Sequence, residues 1–247
     1  MRSKAYLSHS RESKGRRKAA RIIIGSAAAL VIILIVFPHA LGTGSHASQD
    51  QNTTTTTTPL SNIQSTYEAV YSEYNVALVS ADAVIATTGA DITMQENRIE
   101  NDAKTFNYNE SGDGCSGNPS EVNSCLSDEQ VTAQSALGDE NAAAGAEKTD
   151  VTKQVRSVHQ IENAITAFVQ QLYGIPWPSS VSLVPLSLAH ALTDSRGGYA
   201  QLAIDIASGK SITTDSQTIA ATGSAVVMQL TDMASALDIP PPSSTTS

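Results

Sequence analysis

Residues 63–92 read IQSTYEAVYSEYNVALVSADAVIATTGADI, and this stretch decides the fold class of the chain. Apolar side chains recur there every three or four residues, beginning with Ile63, Tyr67 and Val70, and the pattern continues to Phe106. At about 100° per residue, these positions keep to one face of a helix. The pattern therefore predicts one amphipathic helix of about 65 Å, which is too long for a compact domain to cover completely.

A turn is predicted to follow this helix over residues 107–123, because glycine, asparagine and proline are concentrated there. The second helix is predicted to begin at Ser127, whose hydroxyl caps it while Gln130 reaches back in a capping box. Its later half carries an apolar stripe that ends at Gly174. Short connections make successive helices antiparallel neighbours, so the first two helices are expected to form a long helical hairpin.

Two shorter helices complete the prediction. The third begins near Ser182 and ends at Gly209, and the fourth begins at Thr214 with Gln217 as its capping-box partner. The residues of the third helix predicted to face inward are Leu183, Leu186, Ala189, Ala200, Ile204 and Ala207. Aromatic residues make up only 4% of the chain, which favours closely packed helices over a sheet sandwich. The fold class is therefore all-α, an antiparallel four-helix bundle that contains the long hairpin.

Two cysteines, Cys115 and Cys125, lie ten residues apart in the predicted turn. On the oxidising side of a membrane they are expected to form one disulfide that closes this turn. A zinc site would need two further ligands close to them, and the sequence pattern shows none. No metal and no cofactor is therefore expected.

The N-terminus has the pattern of a membrane anchor. Residues 1–21 carry eight basic residues and one acidic residue, and an apolar run follows over residues 22–41. About 20 apolar residues match the thickness of a bilayer core, whereas a secretory apolar region is usually about 7–15 residues long. We therefore expect a transmembrane helix over 22–41 that contacts membrane lipid, with the N-terminus in the cytoplasm. Cleavage as a signal peptide is the alternative, because Ser45-His46-Ala47 resembles a cleavage site.

The other boundaries follow from composition. Residues 42–60 form a Thr-rich linker, in which residues 53–58 are all threonine. Residues 61–239 form the extracytoplasmic helical domain, and residues 240–247 form a disordered tail rich in proline, serine and threonine. The chain is thus expected to be a single-pass protein of the cell membrane with its C-terminal domain outside.

Charge is distributed unevenly along the chain. The formal net charge is −9, but residues 22–247 hold seven basic and 23 acidic residues once the basic N-terminal segment is set aside. An acidic surface repels phosphate instead of releasing its counterions, which argues against a nucleic-acid partner.

Reactive motifs are not apparent, since no phosphate loop, nucleophile elbow or dinucleotide fingerprint occurs. The chain is accordingly not expected to be an enzyme. One constellation remains: Glu162 lies in the stripe of the second helix with His159 beside it, and His190 lies in the third with Asp194 beside it. Similar distances from the turn near Pro176 predict that Glu162 and His190 form a buried polar pair. Such a pair fixes helix register, or acts as a pH switch; the order of residues does not match a carboxylate-bridged metal site.

Tyrosines also mark the first helix. Tyr67 and Tyr74 are predicted to lie on its buried face, whereas Tyr71 lies off that face and is available to a partner or a glycan.

These observations predict a membrane-anchored, non-enzymatic helical protein that binds a partner or acts as a surface spacer. The partner is expected to be another protein or a second copy, contacted through the long hairpin. One alternative is an extracytoplasmic ligand- or pH-responsive sensor, and another is a secreted carrier of a ligand or metal after signal cleavage. The sequence pattern does not identify the partner, the oligomeric state or the host.

Overall fold

The computed structural model describes residues 60–111 and 114–239, and it gives the backbone of residues 34–36 and 243–245. The helices of the two long ranges are α1 (Leu60–Ser111), α2 (Pro119–Gly174), α3 (Leu183–Ser208) and α4 (Thr213–Ala236). No strand occurs within residues 60–111 and 114–239. The all-α prediction is therefore confirmed for the described part of the domain.

Helix α1 is the long helix predicted from the apolar periodicity. It contains 52 residues, which corresponds to about 78 Å at 1.5 Å per residue. Threonine hydroxyls inside it bond to carbonyl groups of the preceding turn: Thr88 donates to Val84 O at 2.7 Å and Thr93 donates to Gly89 O at 3.0 Å. These bonds satisfy the polar hydroxyls without interrupting the helix.

Helix α2 begins at Pro119, and the prediction of a start at Ser127 was wrong. The side-chain Oδ1 of Asn118 accepts hydrogen bonds from the N–H groups of Ser120 at 3.1 Å and Glu121 at 3.0 Å. The Glu121 carboxylate accepts a bond in return from the N–H of Asn118, at 3.0 Å. This is a complete capping box with proline in the first helical position, so the helix starts there and the turn is shorter than predicted.

The connection between α3 and α4 combines a confirmed prediction with a correction. Gly209 ends α3 as predicted, with a positive φ of 65° that favours glycine, and the next N–H, from Lys210, donates to Asp205 O at 2.9 Å. Helix α4 begins at Thr213 after Ile212, and no side chain caps it. The predicted capping box from Thr214 is therefore not formed, because Thr214 already lies inside the helix.

The chain divides into two compact units. Unit 1 comprises Val84–Arg156 and Asp205–Ser211, and unit 2 comprises, among the described residues, 60–83, Ser157–Ile204 and 212–239.

Unit 2 holds the large apolar core. Its side chains are contributed by the start of α1, the end of α2, and helices α3 and α4. The largest fully buried side chains all belong to it: Tyr67, Phe168, Ile63, Ile161, Ile165, Leu172, Leu188, Leu192, Leu202, Leu230, Met233 and Leu237. Burial of a large side chain contributes about 1.5–3 kcal/mol, so this unit carries most of the hydrophobic stabilisation.

Unit 1 has a core of small and polar residues instead. Its buried positions on α1 and α2 include Ile85, Thr88, Ile92, Ala103, Ala133, Ala136, Ala143, Asp150 and Gln154. The Gln154 amide donates to Ile85 O at 3.4 Å, and Arg98 lies 3.6 Å from Asp139 on the opposite helix. Alanine buries little area per residue, so each of these alanines contributes less hydrophobic stabilisation than a large side chain of unit 2.

Helix α3 buries only part of the face predicted: Ala189 is buried as predicted, whereas most of the other predicted positions are exposed. Leu183, Leu186 and Ile204 were predicted to face inward, yet they are 76%, 43% and 55% exposed. The buried residues of this helix include Leu188, Ala189, Leu192, Ser195, Tyr199, Leu202, Ala203 and Ile206. Both faces carry leucine and isoleucine at helical spacing, so periodicity does not distinguish them, and packing against the rest of unit 2 selects one.

Most of the N-terminal predictions lie outside the described residues: the basic tail 1–21, nearly all of the linker 42–60, and the transmembrane segment 22–41 except for residues 34–36. These three residues form a strand, β1 (Leu34–Val36), which pairs antiparallel with β2 (Ser243–Thr245). The helix predicted over 22–41 is therefore not present at 34–36. Isoleucine and valine favour extended backbone, and Pro38 follows closely, where it disfavours helix in the residue before it.

Candidate functional site

The predicted buried pair of Glu162 and His190 is not formed. His190 is exposed on α3, because the face of this helix that is buried carries Leu188, Leu192 and Ser195. His190 makes no hydrogen bond or ion pair with any described residue, and Asp194, one turn later, is also exposed. The pair therefore does not fix the register of the helices.

Glu162 contacts a histidine on its own helix. The Glu162 carboxylate is 20% exposed, as expected from its place in the apolar stripe, and its Oε1 lies 3.3 Å from His159 Nδ1. His159 is 54% exposed, so this contact between residues three apart lies at the surface of α2. Because water screens its exposed partner, His159, this pair contributes little to stability.

An aromatic cluster forms the centre of unit 2. Phe168 stacks on Tyr74 with ring centroids 4.6 Å apart, and it meets Tyr67 at 6.4 Å and Tyr71 at 6.1 Å. Trp177 packs edge-on against Tyr67 at 6.2 Å. Tyr71 is only 3% exposed, so the prediction that it lies off the buried face was wrong. Its large ring is covered by Phe168, a contact that the pattern of α1 alone does not reveal.

Burial sets the chemistry of these tyrosines. It raises the pKa of Tyr67, Tyr71, Tyr74 and Tyr199 well above the ordinary value, and neighbouring ionisable groups raise each further. The Tyr67 hydroxyl is buried and makes no hydrogen bond to any described residue. These phenols therefore stay neutral at physiological pH, and the cluster acts as core packing.

Two carboxylates in unit 1 are electrostatically coupled. Burial first, and then the negative charge of Glu147 on α2, raise the pKa of Glu96 on α1 to about 7. Burial also raises the pKa of Glu147. Both residues are half-buried. Glu96 therefore changes its charge near neutral pH. The only sign of this pair in the sequence pattern is that Glu147 falls among apolar positions.

The turn between α1 and α2 brings sulfur and carboxylate groups together. Cys115 and Cys125 form the predicted disulfide. Glu129, four residues after Cys125 on α2, has a carboxylate oxygen within 4.8 Å of both sulfurs. Sequence reasoning missed Glu129, although its spacing from Cys125 places both on one face of a helix. A Cβ on Gly114 would lie 2.9 Å from the hydroxyl of Tyr108. Glycine at this position therefore allows the Tyr108 side chain to lie close to the backbone of the turn.

Helix α1 carries apolar side chains that the other described residues do not cover. Among the described residues, one helix, Leu60–Asn109, is long and apolar enough to cross a membrane, with a mean hydropathy of 1.3 over its most apolar 18 residues. Core helices of soluble proteins meet the same criteria, so this property alone does not place the helix in a membrane. Only 22% of that apolar window is buried, however. Val76 and Val79 are 64% and 39% exposed.

Comparison with known proteins finds no matching family model, no similar curated protein and no similar solved structure.

Proposed function

We propose that this chain is a membrane-anchored, extracytoplasmic helical protein that acts by binding another protein through the exposed apolar face of α1. Its described domain is proposed to be an antiparallel four-helix bundle. The observation that carries the proposal is the low burial of the most apolar part of α1, where only 22% of the window is covered. Exposed apolar area on this scale is costly in water, and it marks interaction sites on other proteins.

The anchor is proposed from the N-terminal sequence. The apolar run 22–41 follows a strongly basic segment, 1–21, and loops rich in lysine and arginine stay in the cytoplasm. The disulfide between Cys115 and Cys125 agrees with an oxidising compartment on the other side. In a bilayer the backbone of residues 34–36 is expected to become helical, because no water is available there to bond an open strand edge.

Cysteine accessibility tests the anchor and its orientation. The two native cysteines are paired, so they give no background to a thiol reagent. With a single added cysteine, Ser61→Cys is expected to react with an impermeant maleimide on intact cells, and Ser10→Cys only after lysis. Reaction at both positions on intact cells would refute this orientation. Loss of residues 1–47 from the mature chain would favour the secreted carrier instead.

Photo-crosslinking tests the binding face. A photoreactive side chain at Val76 or Val79 in the full chain is expected to give one adduct of the same size from both positions. Met228 on α4, which is 58% exposed, is the matched control and is expected to give no adduct. An adduct of twice the mass of the chain would identify the partner as a second copy.

The absence of any adduct at Val76 and Val79 would exclude partner binding through this face and favour a spacer. An equal yield from Met228 would mean that the reagent captures neighbours without regard to the face. Comparing the adducts from Val76 and Val79 with the result from Met228 therefore distinguishes a specific partner from chance proximity.

A second candidate function is a pH-responsive sensor, and Glu96 is the observation that favours it. Its pKa of about 7 makes its charge, and its repulsion of Glu147, depend on pH in the physiological range. Its test is the yield of the Val76 adduct at about pH 6 and about pH 8, in the parent chain and with Glu96→Gln. A yield that changes with pH in both chains, or in neither, would exclude this role for Glu96.

A further inference from the structure

We propose that reduction of the disulfide at the turn between α1 and α2 creates a site for a thiophilic divalent cation such as Zn²⁺. Its protein ligands are the sulfurs of Cys115 and Cys125 and the carboxylate of Glu129. The site is separate from the apolar face of α1 and does not rest on the proposed function.

Geometry is the first argument for this site. One ligand atom from each of the three residues lies within 4.8 Å of the other two. Cys125 and Glu129 are one helical turn apart on α2, so their side chains share a face. Cys115 approaches from the turn that precedes this helix. Two elements thus hold three potential ligand residues close enough together for one ion to contact all three after reduction.

The state of the Glu129 carboxylate is a second and independent argument. Its Oε2 atom is buried and accepts no hydrogen bond from any described residue. A buried carboxylate oxygen without a donor is unfavourable, because it has lost its water and gained no partner. A cation bound by this carboxylate would supply a favourable interaction in place of the missing donor.

Redox state decides whether the sulfurs are ligands. In the disulfide each sulfur is bonded to the other, and neither has the negative charge of the thiolate that binds zinc. A dithiol reductant transfers two electrons and two protons, so that the Cys115–Cys125 bond breaks, two thiols form and the reductant becomes a disulfide. The divalent cation then binds both sulfurs and displaces two protons to solvent. Three protein ligands leave the fourth tetrahedral position of Zn²⁺ to water.

Cobalt(II) is the probe, because its bonds to sulfur give a charge-transfer absorption that Zn²⁺ lacks. The full chain, reduced without air by a phosphine, is expected to bind one Co²⁺ with this absorption. The same chain with its disulfide intact is expected to show none. Zn²⁺ added afterwards is expected to displace the cobalt and abolish the absorption.

Variants test each ligand. Glu129→Gln is expected to weaken Co²⁺ binding to the reduced chain by at least about 10-fold. Asp128→Asn removes the same charge one residue away, from an exposed side chain, and is the matched control with an unchanged affinity. The double variant Cys115→Ser, Cys125→Ser is expected to lose the absorption.

Two results would overturn the proposal. One is Co²⁺ binding to the reduced chain that is no tighter than to the double serine variant. The other is an equal affinity in Glu129→Gln and Asp128→Asn, which would show that the carboxylate is not a ligand. Circular dichroism of the reduced chain without metal checks that the helices remain folded in every variant.

Discussion

Replacing Glu96 with glutamine is expected to stabilise the protein above neutral pH and to leave its stability unchanged in acid. The pKa of Glu96 is raised from 4.5 to about 7 in the folded chain, first by burial and then by the charge of Glu147. Below about pH 4.5 this carboxyl is protonated in both folded and unfolded states, so it adds no pH dependence. As the pH rises toward 7 the unfolded chain loses its proton first, and the free energy of unfolding decreases. Above the pKa of Glu96 in the folded chain, the decrease in the free energy of unfolding is complete.

The magnitude follows from the two pKa values. The difference between 4.5 and about 7 corresponds to an upper limit of about 3 kcal/mol. Glu96 is only half-buried, so water screens its charge, and we expect a loss of about 1 kcal/mol. Glutamine has nearly the same shape and no charge. The variant should therefore gain about 1 kcal/mol at about pH 8, or about 0.5 M in the urea midpoint.

Urea unfolding followed by circular dichroism, at pH values from about 4 to about 8, measures this difference directly. Subtracting the stability of the parent chain at each pH removes the contribution of the carboxylates that are not coupled to Glu96. Glu68→Gln, on the exposed face of α1, is the matched control and is expected to follow the parent chain. The reasoning is refuted if Glu96→Gln is less stable than the parent above neutral pH, or if the difference between them is the same at all pH values.

Three further predictions concern the core, the caps and the surface. Phe168→Ala removes the ring that contacts three tyrosines and is expected to cost about 3–5 kcal/mol, measured by the fluorescence of Trp177, the single tryptophan of the chain. Asn118→Ala should cost about 1 kcal/mol by thermal unfolding, whereas Thr214→Ala should cost less, because no side chain caps α4; equal losses would contradict this account. His190→Ala should change the free energy of unfolding by less than about 0.5 kcal/mol in urea, and a loss of several kcal/mol would restore the buried pair.

Patterns within a single helix were predicted well. The buried face of α4 was predicted correctly at Ile219, Val226, Leu230, Met233 and Leu237. The end of α3 at Gly209 was also correct, because a left-handed residue there depends only on its neighbours in the chain. Local signals failed where a stronger one lay nearby: Ser127 was chosen as a cap although Asn118 and Pro119 form a complete one.

The candidate site was predicted less well, because it depends on contacts between helices. Glu162 was expected to meet His190, but the face of α3 that carries His190 is turned to solvent. The coupled carboxylates Glu96 and Glu147 are 51 residues apart in the chain. Nothing in the local pattern of either helix aligns them, so only the packing of α1 on α2 reveals the pair.

The sequence by itself determined the helical class, the long α1 helix and the disulfide between Cys115 and Cys125. These features follow from spacing along the chain, since helix periodicity and turn chemistry act over a few residues. Tertiary structure alone decided which face of α3 is buried, that Tyr71 lies under Phe168, and that the Glu129 carboxylate points toward the sulfurs. Each of these depends on groups distant in sequence, whose positions are set by close packing and not by the residues beside them.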